Sequence, residues 1–260
     1  MELSPAAVAA GVRLSVYDTL GSSNAEALTL ARAGERGPLW IVAKSQTAGR
    51  GRRGNTWVSW AGNLYATLLL GDPAPADAAP ELSFVAALAL HDAVGDCAPA
   101  LKAALTLKWP NDLLSGGAKL AGILIEGERA PYGLVVAIGI GVNCRHHPAE
   151  TAYPTTDIAT AGADVTPDML FEALSAAMIR RLRQWRRGDG FAGIRADWIA
   201  RAADMGTDIR VRLPGSELVG RGEGLDDRGR LLLRLADGSR QAIAAGDVFP
   251  LTQPAARQAE

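Results

Sequence analysis

The chain has 260 residues, enough for one large domain or a medium and a small one with a buried core. An apolar fraction of 48% with 21% charged residues excludes a disordered chain, and a net charge of −1 excludes a global basic field that draws a protein to nucleic acid or lipid. Two cysteines, Cys97 and Cys144, form no disulfide framework or CxxC metal motif; with no secretory pattern at the start and no apolar run near ~20 residues, the expected setting is a reducing cytoplasm.

Residues 12–17 alternate as an edge strand does. Ser22-Ser23-Asn24 open a helix, with Ser23 and Glu26 spaced as a capping box, and the helix stops by Gly34. Residues 39–46 and 63–70 read as strands on either side of a loop rich in glycine and arginine. Pro80 sits in the first turn of an apolar helix over 81–97. Residues 105–109 form a short strand that stops at Pro110, and Asn111 and Asp112 turn away from it. Residues 120–127 and 133–143 are two apolar strands in a hairpin, central in a sheet because they are apolar nearly throughout. Residues 144–165 are irregular. Thr166-Pro167-Asp168 open an amphipathic helix whose arginines, Arg180, Arg181, Arg183, Arg186 and Arg187, read as a solvated face, and a further helix runs over 191–203. From Gly206 on, short strands over 209–213, 217–224, 231–235 and 241–244 suggest a small β-barrel.

Three stretches carry candidate chemistry. In the loop, Gly49, Gly51 and Gly54 alternate with Arg50, Arg52 and Arg53 before Trp57. Glycine lets backbone approach a ligand, and guanidinium forks fit phosphate or carboxylate oxygens. Such stretches also serve as solvated loops or contacts to single-stranded nucleic acid. Lys108-Trp109-Pro110-Asn111-Asp112 offers an amide and a carboxylate suited to Mg²⁺, or a plain Asn-Asp turn. Lys119 either points an ammonium into a cleft or guards an edge strand, and Gly122 leaves room for a ligand against its strand. Ser22, Ser23 and Asn24 either cap a helix or face that ligand. No P-loop, dinucleotide loop or nucleophile elbow is present, and adjacent His146 and His147 make no metal site. A nucleotide site built from arginines, a lysine and Mg²⁺ without a P-loop suggests adenylation of a carboxylate.

Together with Gly141-Val142-Asn143, these motifs resemble the biotin protein ligases, over residues 14–249. The resemblance implies an α+β fold: a mixed sheet with flanking helices, related to class II aminoacyl-tRNA synthetases, over residues 1–205, then an SH3-like barrel over 206–260. It implies that biotin and MgATP give biotinyl-5′-AMP, whose acyl group passes to a lysine of the biotin carboxyl carrier protein of acetyl-CoA carboxylase. By motif, Ser22, Ser23, Asn24, Gln46 and Gly122 would meet biotin. Gly49, Arg50, Gly51, Arg52 and Arg53 would form the loop that orders over biotin and phosphates, with Arg50, Arg52 and Lys119 acting in catalysis. Trp57 would enclose adenine, Ile123 and Asn143 would belong to the binding site, and Asn111 and Asp112 would serve Mg²⁺. Asn55 and Thr56 replace more basic residues of some relatives. About 20 residues precede the motifs, so the expectation is a ligase without DNA binding, able to form a homodimer. A lipoate transferase of related fold and an RNA-binding module are the competing readings; the first lacks its Arg-Arg…Gly-Gly-Gly signature here, and the second conflicts with the net charge.

Overall fold

The computed structural model describes residues 1–151 and 153–251; Ala152 and the end of the expected barrel segment, 252–260, lie outside the described residues. The chain runs α1 (Pro5–Ala9), β1 (Arg13–Leu20), α2 (Ser23–Arg32), β2 (Leu39–Gln46), β3 (Leu64–Gly71), α3 (Leu82–Cys97), β4 (Leu105–Lys108), β5 (Asp112–Ser115), β6 (Ala118–Ala130), β7 (Gly133–Val142), α4 (Pro167–Trp185) and α5 (Phe191–Ile199). The seven strands make one mixed sheet in the order β1-β2-β3-β7-β6-β5-β4. Only β1 and β2 pair in parallel.

Alternation along the strands sorts side chains between two faces. On β2, Trp40 and Val42 join a large core with α3, α4 and α5, while Leu39 and Ile41 join a smaller one with Ala27, Leu28 and Ala31 of α2. Strand β7 divides the same way: Val136 and Ile138 go to the first core, Val135 and Ala137 to the second. Three helices therefore cover one face. Among the described residues the other face has only the ten-residue α2, which leaves part of the sheet uncovered.

Helix α3 is apolar nearly all round because it is enclosed by the sheet, α4 and α5. Helix α4 starts at Thr166, whose Oγ1 accepts from Met169 N at 3.2 Å. Arg181 does not lie on a solvated face: its guanidinium donates to Asp92 of α3 at 2.8 and 3.1 Å and to Asp197 of α5 at 2.6 Å, tying three helices together.

A second, antiparallel sheet follows: β8 (Asp208–Leu213), β9 (Ser216–Leu225), β10 (Leu231–Arg234), β11 (Arg240–Ile243) and β12 (Asp247–Pro250), in the order β11-β10-β9-β8-β12. Its inward residues Val211, Leu231 and Val248 merge with the large core, and Trp109 Nε1 donates to Gly229 O at 3.1 Å.

Several local expectations fail for physical reasons. Residues 112–115 are strand β5, not the continuation of a turn; at four residues it is too short to show a period after Pro110-Asn111. Strand β12 was hidden for the same reason. The cap of α2 is Ser22, one residue earlier than the Ser23–Glu26 box, because Ser23 is drawn into a buried hydrogen-bond group. Pro80 lies in a short 3-10 turn, Ala79–Glu81, ahead of α3, and α5 ends at Ile199.

Asn63 orders the exit from β7. Its buried Oδ1 accepts from the amides of Cys144, Arg145 and His146 at 2.8, 2.9 and 3.1 Å, and its Nδ2 donates to His146 O at 2.8 Å. Asn63→Ala strands buried amides, so the unfolding free energy should fall by about 2–4 kcal/mol, read as a lower denaturant midpoint with an unchanged slope.

Candidate active site

A cleft of about 470 Å³ lies where α2 leaves the sheet uncovered. Its floor is a pair of glycines, Gly122 of β6 and Gly141 of β7, directly opposite one another in the ladder. The indole of Trp57 rests on them. A Cβ on Gly141 would stand 2.6 Å from indole Cε2, and one on Gly122 would stand 3.0 Å from Cζ3. Both positions therefore exclude any larger residue while a flat ring lies there. The indole Nε1 is buried without a hydrogen-bond partner among the described residues.

One wall is neutral and polar. Ser23 N and Oγ donate to Gln46 Oε1 at 2.8 and 3.1 Å, and Gln46 Nε2 donates to Ser59 Oγ at 3.0 Å. Thr67 Oγ1, fully buried, lies 2.8 Å from Ser23 Oγ and 2.7 Å from Asn24 Oδ1. Asn24 Nδ2 donates to Glu126 Oε2 at 2.8 Å. Ser22 Oγ accepts from Ala25 N at 3.4 Å. Ser22 is thus a cap, while Ser23 and Asn24 belong to the wall. Thr67 escaped the sequence reading because a threonine in a strand is ordinary. Tyr65 also lines the cleft, and burial pushes its phenol up to about 12, so it stays neutral.

The opposite wall is charged. Asp112, 6% exposed, takes Lys119 Nζ at 2.8 Å on one oxygen and Lys108 Nζ at 3.3 Å on the other. Tyr153 OH lies 3.4 Å from Lys119 Nζ. Burial alone would lower the Lys119 ammonium, but Asp112 and Tyr153 outweigh it and hold it above the ordinary lysine value. Behind this group, Asp204 is buried with one oxygen unpartnered among the described residues; burial pushes its carboxyl up to about 6, with Lys108 pulling the other way.

The arginine-glycine loop closes the top. Arg50 reaches Glu126 at 2.9 Å. Arg52 Nη1 lies 3.4 Å from both Asn111 Oδ1 and Gly246 O, and Arg53 pairs with Asp247 at 3.1 Å. Burial lowers the Arg52 guanidinium, an effect that Asp247 opposes. Arg212, Asp247, Val248 and Phe249 of the second sheet complete the cleft. No sequence motif marks them.

Of the residues singled out from sequence, Ser22, Ser23, Asn24, Gln46, Arg50, Gly51, Arg52, Trp57, Asn111, Asp112, Lys119, Gly122 and Ile123 line this one cleft. Three do not. Gly49 sits at the base of the loop, where its carbonyl accepts from Trp57 N at 2.9 Å. Arg53 turns outward to Asp247. Asn143 is buried and donates to Thr156 O at 3.0 Å, so it braces the segment after β7.

Residues 26–143 match the Biotin/lipoate A/B protein ligase family, and residues 205–249 match the Biotin protein ligase C terminal domain. The chain is 46% identical over 236 residues to the biotin–[acetyl-CoA-carboxylase] ligase of Paracoccus denitrificans, covering 88% of this chain and 96% of that protein. The chain belongs to the biotin protein ligase family. It is also 35% identical to the corresponding ligase of Mycobacterium tuberculosis, over 92% of this chain and 89% of that one. In fold it is similar to the Aquifex aeolicus biotin protein ligase solved with biotin and ATP, with a TM-score of 0.76 at 24% identity over 91% of this chain and 97% of that one. The architecture is accordingly the α+β biotin ligase fold, with the C-terminal antiparallel sheet as its SH3-like unit.

Membership implies Mg²⁺ alongside ATP, and the resemblance put Asn111 and Asp112 on the metal. Their surroundings do not fit that role. Lys119 Nζ and Lys108 Nζ stand 2.8 and 3.3 Å from the two Asp112 oxygens, although Oδ1 has no hydrogen-bond partner among the described residues, and the Asn111 Oδ1 faces Arg52 while its Nδ2 donates to Ile123 O at 2.7 Å. A dication held directly by this pair would stand among three cations.

Two outcomes test this geometry. Gly141→Ala should expel the indole and loosen the loop, so trypsin should cut at Arg50–Arg53 faster than in the parent; equal protection would show that the indole does not rest there. A carboxyl raised in the folded state contributes stability below its unfolded pKa and loses it as pH climbs towards 6. Asp204→Asn should therefore exceed the parent in unfolding free energy by about 2–3 kcal/mol above pH 7, the gap closing below about pH 4.

Proposed function

We propose that this chain activates biotin with ATP to biotinyl-5′-AMP, releasing pyrophosphate, and then passes the biotinyl group to a lysine of the biotin carboxyl carrier protein of acetyl-CoA carboxylase. One observation carries the reading at the level of residues: Lys108, Lys119 and Arg52 gather within one cleft beside a paired-glycine floor and a wall of neutral amides and hydroxyls. The floor suits a flat ring, and the Ser23–Asn24–Gln46 wall offers donors and acceptors to an uncharged ureido group. The cations suit the place where a carboxylate meets the α-phosphate.

In the first step the biotin carboxylate attacks the α-phosphorus, and negative charge accumulates on the phosphoryl oxygens. Lys119 and Arg52 neutralise that charge from fixed positions, and Lys108 adds to the field. Asp112 keeps the two lysines in place until the substrate's oxygens take over the contacts to their ammoniums. The loop holding Arg50 and Arg52 lifts so that the indole yields the floor, then closes and keeps water from the mixed anhydride. In the second step the acceptor amine attacks the biotinyl carbonyl and AMP leaves.

We assign residues 1–205 to the catalytic unit and 206–260 to the SH3-like unit, the second helping to close the cleft through Arg212 and Asp247. No helix among the described residues is long and apolar enough to cross a membrane. A cytoplasmic site of action follows from the need for ATP and the carrier.

Incubation with labelled biotin, ATP, Mg²⁺ and an apo carrier domain should label the carrier on a single lysine, and excess lipoate should not compete; an unlabelled carrier would sink the reading. Lys119→Ala should slow pyrophosphate release by about 10²–10³-fold while the KM for ATP moves less than about threefold, because the contact strengthens in the transition state.

A further inference from the structure

Among its described residues the segment between β7 and α4 has no helix or strand, yet part of it is docked onto β6 as a strand would be. Lys119 N donates to Pro154 O at 2.8 Å, and Thr156 N donates to Lys119 O at 2.9 Å. His147 Nδ1 lies 2.6 Å from the buried Asp157, which fixes the segment on either side of this contact. The docking puts Tyr153 against the charged wall of the cleft.

Two ammonium groups share this one ring. Lys108 Nζ stands 5.0 Å from its centroid and Lys119 Nζ 5.2 Å, and the hydroxyl is 3.4 Å from Lys119 Nζ. Lysine ends in a point charge on a flexible stem, so its direction has to be imposed from outside. Two like charges that also converge on a single carboxylate repel each other. The negative face of an aromatic ring offsets part of that repulsion and gives each ammonium a preferred side. Asp112 cannot do this alone once substrate oxygens compete for the same protons.

We propose that Tyr153 is a positioning residue of the adenylation step, whose ring and hydroxyl keep the Lys108 and Lys119 ammoniums aimed at the point where carboxylate and α-phosphate meet. This rests on the role of Lys119 given above. Tyr153 acts through the lysines and not on the reacting atoms. A lone tyrosine in an irregular stretch carries no signal in the sequence; only the backbone pairing of Lys119 with residues 154–156 brings it here.

The test uses the full chain with Tyr153→Leu, Tyr153→Phe, Lys119→Ala and the Tyr153→Leu/Lys119→Ala double variant. Pyrophosphate release is followed with saturating biotin and ATP, and thermal midpoints are recorded. Tyr153→Leu keeps the bulk but removes the ring face and hydroxyl; kcat should drop about 10–50-fold with KM values within about threefold. Tyr153→Phe restores the ring face and should recover to within about fivefold of the parent. The double variant should lose clearly less than the product of the two single losses, the remainder being what Tyr153 does through Lys108. Parental kcat in both tyrosine variants, or losses that multiply in the double variant, would overturn the proposal while leaving Lys119 in its role. A parental rate in Lys119→Ala would overturn the role of Lys119 and this proposal with it.

Discussion

One row of cross-strand neighbours carries the site. Tyr65 of β3, Gly141 of β7, Gly122 of β6, Asp112 of β5 and Lys108 of β4 lie abreast, each opposite the next in the ladder. Register is what brings them together. A slip of one residue in any pairing would turn that strand's contribution to the other face, into the core under α3 and α4. The apolar neighbours prevent the slip: Leu113, Ile138 and Val142 are buried on the far side, and moving them into the cleft would expose them. The core that stabilises the sheet therefore also sets the chemistry.

The same row explains why the two walls differ. Glycines in its middle leave a shallow floor; the end towards α2 meets neutral hydroxyls and amides, and the end towards β4 meets charge. Asp112 is buried but paired with two lysines, which is how a carboxylate survives out of water. Because it gathers Lys108 and Lys119, the arrangement concentrates positive charge on the wall where the proposed phosphoryl transfer would take place. Removing either lysine would leave the carboxylate short of a partner, so this cluster is coupled and its members should not behave additively on mutation.

The lid joins distant parts of the chain. Arg50 ends on Glu126 of β6, while Arg52 and Arg53 reach Gly246 and Asp247 at the start of β12. Exposed ion pairs of this kind contribute little individually, about 0–1 kcal/mol. That is suitable for a loop that must open: the contacts define a closed position without making it costly to leave. Trp57 adds the apolar part of closure by covering the glycine floor. The second sheet thus takes part in the cleft while its inward residues join the large core.

The sequence alone determined the elements with strong periodicity or punctuation, such as β2 over Leu39–Gln46 and α4 from its Thr166 cap, because those signals are local. It also determined the family, since dense motifs such as Lys108–Asp112 and the arginine-glycine loop are read without coordinates. Only the tertiary structure decided what the motif residues do. Asp112 became the partner of Lys108 and Lys119, Arg53 turned out of the cleft, Asn143 became a brace, Thr67 backs Ser23 and Asn24, and Tyr153, Arg212 and Asp247 entered the cleft. The physical reason is that these roles depend on partners outside any local motif, 13 residues away for Asn143 and 34 for Tyr153, or on the register between strands, and single-chain patterns record neither.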